Sequence, residues 1–350
     1  MSIRFAIIGC GRISPRHAES LKNIKEATLV AGCDIDSAKA TQFANKYAVK
    51  TFSSIDELLK WGEFDVACVC TPSGDHADHA VKVLNAGKHV VVEKPMALKL
   101  EDADRMIAAS QTSGRRLFVV KQNRFNLPVQ AVRKSFEEGR FGKLVMGTVR
   151  VRWSRDQSYY DQASWRGKWK SDGGVFSNQA SHHIDLLEWF MGEVESVYSK
   201  TATQLVNIEC EDTGVAVLKF KSGALGIIEA TTATRPKDLE GSLSLMGANG
   251  SVEIAGFAVN NIRHFNFTEP RPEDKEVMEK FSVNPPNVYG FGHQAYLQNV
   301  VDVLLERAEP AVDGPGGRKS LQLIHALYLS AQTGREVKLS EGSVASKLGY

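Results

Sequence analysis

Gly9-Cys10-Gly11-Arg12-Ile13-Ser14 follows an apolar run from Arg4 to Ile8 and leads into a helix-like stretch. Glycines at the first and third positions of such a turn suit phosphate chemistry. The first permits a tight turn, and the second lets a pyrophosphate approach the backbone at the N-terminus of the next helix. Ser14 stands where the fingerprint usually has a third glycine, and it is small enough for close helix–strand packing. Asp34 ends the second apolar run, 23 residues after Gly11. A carboxylate about 20 residues on is placed to meet the adenosine ribose. It repels a 2′-phosphate, and no Arg follows it. The pattern predicts NAD, not NADP, held by Gly9, Gly11, Arg12, Ile13 and Asp34.

The elements that must position these residues are readable in the first third of the chain. Apolar runs at Arg4–Ile8, Leu29–Cys33, Val66–Cys70, His89–Val92 and Arg116–Val120 alternate with amphipathic segments. Ala40, Phe43, Ala44 and Tyr47 recur at helical spacing, as do Ala77, Ala80, Val81 and Leu84. Such alternation argues a parallel sheet covered on both faces. The pattern changes near Lys121. A helix is expected from Pro128 to about Gly139, then a half-buried strand over Leu144–Trp153 with Arg150 and Arg152 on its outer face. Strand candidates follow at Thr213–Lys221, Ala224–Ala230, Ser242–Leu245 and Ser251–Ile254, and helices at about Gly292–Arg307 and Gly317–Gly334. Glu269–Pro286 reads as a long polar loop. The fold class is therefore α/β. Residues 1–121 are expected to form a Rossmann dinucleotide-binding domain. Residues 122–350 are expected to form a substrate and oligomerisation domain around a large open, mostly antiparallel sheet.

Composition narrows the function classes. The 350 residues carry 43 Lys+Arg against 41 Asp+Glu, too balanced for a nucleic-acid coat. Five cysteines without a C-x-x-C pair argue against a disulfide framework or zinc ribbon. No apolar stretch approaches the roughly 20 residues that span a bilayer. With no export signal in view, a cytoplasmic protein without membrane or nucleic-acid partners is expected. Charge is segregated, however. Six basic residues between Arg150 and Lys170 face only Asp156 and Asp161, and Arg235 and Lys237 add a further pair.

Glu93-Lys94-Pro95, Thr71-Pro72-Ser73 and His76 resemble the Gfo/Idh/MocA oxidoreductases. So does Asn178-Gln179-Ala180-Ser181-His182-His183-Ile184-Asp185, which stands where that family usually has D-x-x-x-H-x-x-D. Longer segments resemble the UDP-N-acetyl-2-amino-2-deoxyglucuronate 3-dehydrogenases of bacterial surface-polysaccharide (O-antigen) assembly. These are Lys121-Gln122-Asn123-Arg124, Trp153 to Gln157, Tyr159 to Gln162, Trp165-Arg166-Gly167 and Thr231 to Gly241. The resemblance implies an NAD-dependent oxidation of a sugar 3-hydroxyl in a UDP-linked uronic acid. It also implies a homodimer or homotetramer built on the sheet, and a functional link to a PLP-dependent aminotransferase. Some such enzymes recycle NADH with 2-oxoglutarate, and that is an expectation here too.

Alcohol oxidation needs a base for the hydroxyl proton and a carbon held against the nicotinamide. His182, of a residue type that titrates near neutrality, is the candidate base. Lys94 would hold the same hydroxyl and stabilise developing alkoxide. Asn178 replaces the more frequent Asp and adds no charge. The resemblance adds Thr71, Pro72, Ser73, His76, Glu93, Lys94 and Gln122 to the cofactor residues. For the substrate it implies Lys94, Asn123, Arg124, Arg155, Tyr160, Trp165, Arg166, Gln179, His183 and Arg235, with arginines suited to phosphate and carboxylate groups. No metal site is expected, because His182, His183 and Asp185 lack further ligands at suitable spacing. Two other readings stay open: a dehydrogenase of a free sugar or cyclitol, and a non-catalytic NAD(H)-binding sensor or scaffold.

Overall fold

The computed structural model describes residues 2–281, 290, 292–340 and 344–350. The chain divides into two compact units: Met1–Val120 with His293–Lys319, and Lys121–Gly292 with Ser320–Tyr350.

The first unit holds six parallel strands: β1 (Ile3–Ile8), β2 (Ala27–Cys33), β3 (Lys50–Phe52), β4 (Val66–Val69), β5 (His89–Val92) and β6 (Leu117–Val119). Their order is β3-β2-β1-β4-β5-β6. The order reverses between β1 and β4, so a crevice opens at the C-terminal ends of those two strands. The central strands are buried on both faces, which is why β1, β4 and β5 read as continuous apolar runs.

The second unit is built on eight strands: β7 (Leu144–Arg152), β8 (Val194–Ala202), β9 (Thr213–Phe220), β10 (Leu225–Thr231), β11 (Glu240–Gly247), β12 (Gly250–Ala255), β13 (Asn261–Phe267) and β14 (Val337–Lys338). The order is β13-β12-β11-β7-β10-β9-β8-β14. Every pair is antiparallel except β7 with β10. The helix Ser181–Met191 lies directly on β7, where a Cβ at Gly147 would sit 2.8 Å from both Leu187 and Met191. The opposite face is open. Register puts Tyr198, Val215, Val217, Leu225, Ile227 and Met246 on it, all exposed. Arg150, Arg152, Glu229 and Glu240 share that face.

One expected loop differs. Within 269–286, Glu273–Lys280 is a helix, with Glu273, Asp274 and Glu276 in its first turn. It is too polar to show an apolar stripe, and those acids suit a helix N-terminus. Residues 282–286 lie outside the described residues. No helix among the described residues is long and apolar enough to cross a membrane.

Candidate active site

In the first unit, the nucleotide loop follows from the packing of β1 against β4. Gly9 has φ +92°, and a Cβ there would lie 2.8 Å from the Cys70 backbone. Only glycine fits. A Cβ at Gly11 would meet nothing within 4 Å, which leaves room for a ligand group close to the backbone. The helix Ser14–Lys22 has no side-chain cap at its N-terminus, and Pro15 stands in its first turn, so the positive end of the helix faces this loop. Asp34 is held at the tip of β2, where Oδ2 accepts from Cys10 N–H at 2.8 Å and Oδ1 from Asp36 N–H at 2.8 Å. These features fit a dinucleotide, with Arg12 and Ile13 in the same loop.

Two further loops leave the same sheet edge. His76 is buried between Thr71-Pro72-Ser73 and Glu93-Lys94-Pro95, with Nδ1 2.8 Å from Pro95 O and Nε2 2.9 Å from Thr71 O, and the neutral ring donates to one of these carbonyls. Burial holds its pKa below the usual value. Glu93 points inward: Oε1 is 2.7 Å from His17 Nε2, and Oε2 accepts the Lys94 N–H at 3.1 Å. Burial alone would raise the Glu93 carboxyl, but the His17 bond and charge outweigh it and bring it down to about 2. His17, Glu93 and His293 offer ligand atoms within 4.8 Å of one another. The 2.7 Å contact is a hydrogen bond, shorter than the ~3.3 Å between ligands on one tetrahedral zinc. The cluster therefore reads as an ion pair that fixes the loop bearing Lys94.

In the second unit, one short segment docks on one helix. The turn Gln122–Phe125 meets the face of Ser181–Met191 that presents His182 and Asp185. Gln122 Nε2 lies 3.0 Å from His182 Nε2. Arg124 grips Asp185 with two bonds, at 2.8 and 2.9 Å, and Lys121 Nζ is 3.6 Å from the same carboxylate. Burial raises the Asp185 carboxyl, yet these two cations hold it below its usual value. Gln122 Oε1 and Asn123 Oδ1 are buried acceptors with no hydrogen-bond partner among the described residues.

The π-helical turn Val175–Gln179 precedes that helix, and such turns recur at functional sites. It carries Asn178, bonded through Nδ2 to Asp172, and Gln179, whose Nε2 reaches Asn178 Oδ1 at 3.2 Å and the Tyr159 hydroxyl at 3.1 Å. Arg166 donates to the same hydroxyl at 2.6 Å and stacks on Tyr159 and Trp165. His183 is packed edge-on to Trp153, and burial lowers its pKa to about 4, so it is neutral. Tyr160 is buried against Thr232.

The local excess of positive charge read from the sequence is largely cancelled in space. Arg152 pairs with Glu229 and Glu240, Arg150 reaches Glu240 at 3.4 Å, and Arg155 donates to Asp238 at 2.9 Å. Arg235 is spent on the carbonyls of Thr232, Thr234 and Arg155. The neutralising acids sit some 70 to 90 residues away in sequence and arrive across neighbouring strands or through loops. Arg166 and Lys168 instead line a cleft of ≈ 560 Å³ with Gln157, Asp161 and Glu209. Sequence reasoning missed Asp172 and the His17–Glu93 pair. Only the glycines after Asp172 hinted at a tight return there.

Residues 3–121 match the model of an oxidoreductase family with an NAD-binding Rossmann fold, and residues 133–339 match that family's C-terminal alpha/beta domain. The chain belongs to the Gfo/Idh/MocA oxidoreductase family. It is an NAD-dependent dehydrogenase. Among solved structures it resembles the WlbA dehydrogenase from Bordetella pertussis in complex with NADH and UDP-GlcNAcA. That likeness is 46% identity and TM-score 0.92, covering 96% of this chain and 97% of the other. The WlbA dehydrogenase from Chromobacterium violaceum, in complex with the same two molecules, gives 44% and 0.91, covering 96% of each chain. Myo-inositol 2-dehydrogenase from Thermotoga maritima is 30% identical, over 97% of this chain and 99% of the relative.

Proposed function

We propose that this family member oxidises the sugar 3-hydroxyl of UDP-N-acetylglucosaminuronic acid to a ketone. The observation that carries this reading is the 46% and 44% identity, over nearly the whole chain, to two structures holding NADH and UDP-GlcNAcA. The second unit's residues support it. The buried acceptors Gln122 Oε1 and Asn123 Oδ1 call for the hydroxyl donors a sugar supplies. The cleft beside Arg166 and Lys168, which Asp161 and Glu209 also line, has the volume of a small-molecule site.

In this reading His182 takes the hydroxyl proton, and Lys94 stabilises the oxygen as it becomes alkoxide. When bound, NAD accepts the hydride from the carbinol carbon. The keto sugar then suits a PLP-dependent aminotransferase in surface-polysaccharide assembly, and 2-oxoglutarate reoxidises the NADH. The open sheet face, with Leu225 57% and Val217 55% exposed, is the proposed surface of a dimer or tetramer.

The test is turnover of the purified protein with NAD and either UDP-N-acetylglucosaminuronate or myo-inositol, with and without 2-oxoglutarate. Preference for the UDP-sugar acid by orders of magnitude is expected. Equal or better turnover of myo-inositol overturns the substrate assignment in favour of a cyclitol dehydrogenase. Tight NADH binding with no turnover of either points to a sensor.

A further inference from the structure

Position 178 holds an amide where the family more often has a carboxylate. An amide can face either way in its pocket. A carboxylate neighbour decides the matter, because it only accepts hydrogen bonds. Asp172, itself 2% exposed, is that neighbour. Its Oδ1 accepts from Asn178 Nδ2, and its Oδ2 accepts from Gly167 N–H at 2.8 Å. Its carbonyl accepts from Ser177 Oγ at 3.2 Å. Gly173, at φ +83°, makes the return possible, since a Cβ there would meet Ser177 at 2.6 Å. With Nδ2 turned to Asp172, Asn178 presents Oδ1 to Gln179 Nε2. Gln179 in turn reaches Tyr159, which receives Arg166. One polar line thus runs from Asp172 to Arg166 through three residues.

We propose that Asp172 fixes which way the Asn178 amide faces, across a single hydrogen bond. It supplies the charge and the fixed acceptor beside position 178. It acts as a positioning residue for Asn178 and Gln179. The inference rests on the second unit being the substrate site.

The pairing is testable by exchanging the two groups. Asn178→Asp alone sets two carboxylates face to face with no donor between them. Asp172→Asn alone keeps one bond but no longer dictates which way Asn178 faces. Together, the amide at 172 donates to the carboxylate at 178 and still accepts the Gly167 N–H. Steady-state kinetics with UDP-N-acetylglucosaminuronate and NAD, on the full chain and all three variants, read the outcome alongside thermal melting.

Asn178→Asp is expected to cut kcat/KM for the sugar about tenfold or more, through sugar KM and kcat and not through NAD KM. Asp172→Asn is expected to lose less. The double variant is expected to return to within about threefold of the parent, far above the product of the single losses. A double variant at or below that product overturns the proposal. If Asn178→Asp does not fold, the double variant decides alone: folded and active supports the proposal, folded and inactive overturns it. A parent inactive on the UDP-sugar but active on myo-inositol overturns the substrate reading only, and the same comparison is then made on the cyclitol.

Discussion

Glu93 in the first unit and Glu211 in the second are both buried carboxyls, and they titrate in opposite directions. Glu93 faces the His17 imidazole and falls to about 2. Glu211 is raised to about 7 by burial, which outweighs the bonds it accepts from Tyr328 O–H at 2.8 Å and Phe176 N–H at 3.0 Å. Neutral donors lower a buried carboxyl less than a charged neighbour does. The first unit fixes its loops with an ionised pair and with backbone N–H groups. The second fixes the turn bearing Asn178 and Gln179 with a carboxyl that shares its proton near neutrality. The two halves of one enzyme hold their functional loops by different electrostatic means.

The largest expected effect tests whether the two units share the chemistry. Lys94→Ala in one and His182→Ala in the other should each lower kcat by about 10²-fold or more, with NAD binding retained in the His182 variant. Turnover within a few-fold of the parent in either case would remove that unit from the proton chemistry.

The next effect is on stability, and its sign differs between the units. A carboxyl raised from 4.5 to about 7 stabilises fully below about 4.5, and that contribution is lost as pH rises to about 7. It amounts to something on the order of 3 kcal/mol. Glu211→Gln should therefore flatten the decline in unfolding free energy between those pH values. Glu93 does the reverse. Its contribution is present above about 4.5 and is lost as pH falls toward about 2, so Glu93→Gln should flatten the acid limb. Denaturant titrations across pH read both, and slopes of the same sign would break the comparison.

The smallest expected effect concerns the side chain at the cofactor edge. Asp34→Asn should raise the NAD KM by roughly tenfold while narrowing the preference over NADP. An unchanged NAD/NADP ratio would show that the backbone alone sets the choice.

The first unit was nearly readable in the sequence because its strands are buried on both faces and its turn needs glycine. β3 escaped, being three residues long. In the second unit β8 escaped because a register shift between Val194 and Ser196 breaks its alternation. The helix Glu273–Lys280 has no apolar stripe to betray it. The site was half visible. The i, i+3 spacing of His182 and Asp185 put both on one helix face, and both do meet the 121–124 segment. What spacing could not supply was long-range pairing. Nothing near Arg152 in sequence announces Glu229 or Glu240, and nothing in Asn178 announces that its carboxylate partner lies upstream.

The single parallel pair, β7 with β10, has a consequence for how such a dehydrogenase can change. The chain leaves β7 at Arg152 and rejoins the sheet at β8, having skipped the places that β10 and β9 later fill. Trp153 and Arg155 still donate to Thr231 and Thr232, and residues 156–193 are then an excursion outside the strand ladder. It carries Tyr159, Arg166, Asp172, Asn178 and His182 together. Exposed side chains along it can be exchanged without altering strand pairing, whereas the buried helix Ser181–Met191, with Leu187 and Met191 against Gly147, must keep its packing on the sheet.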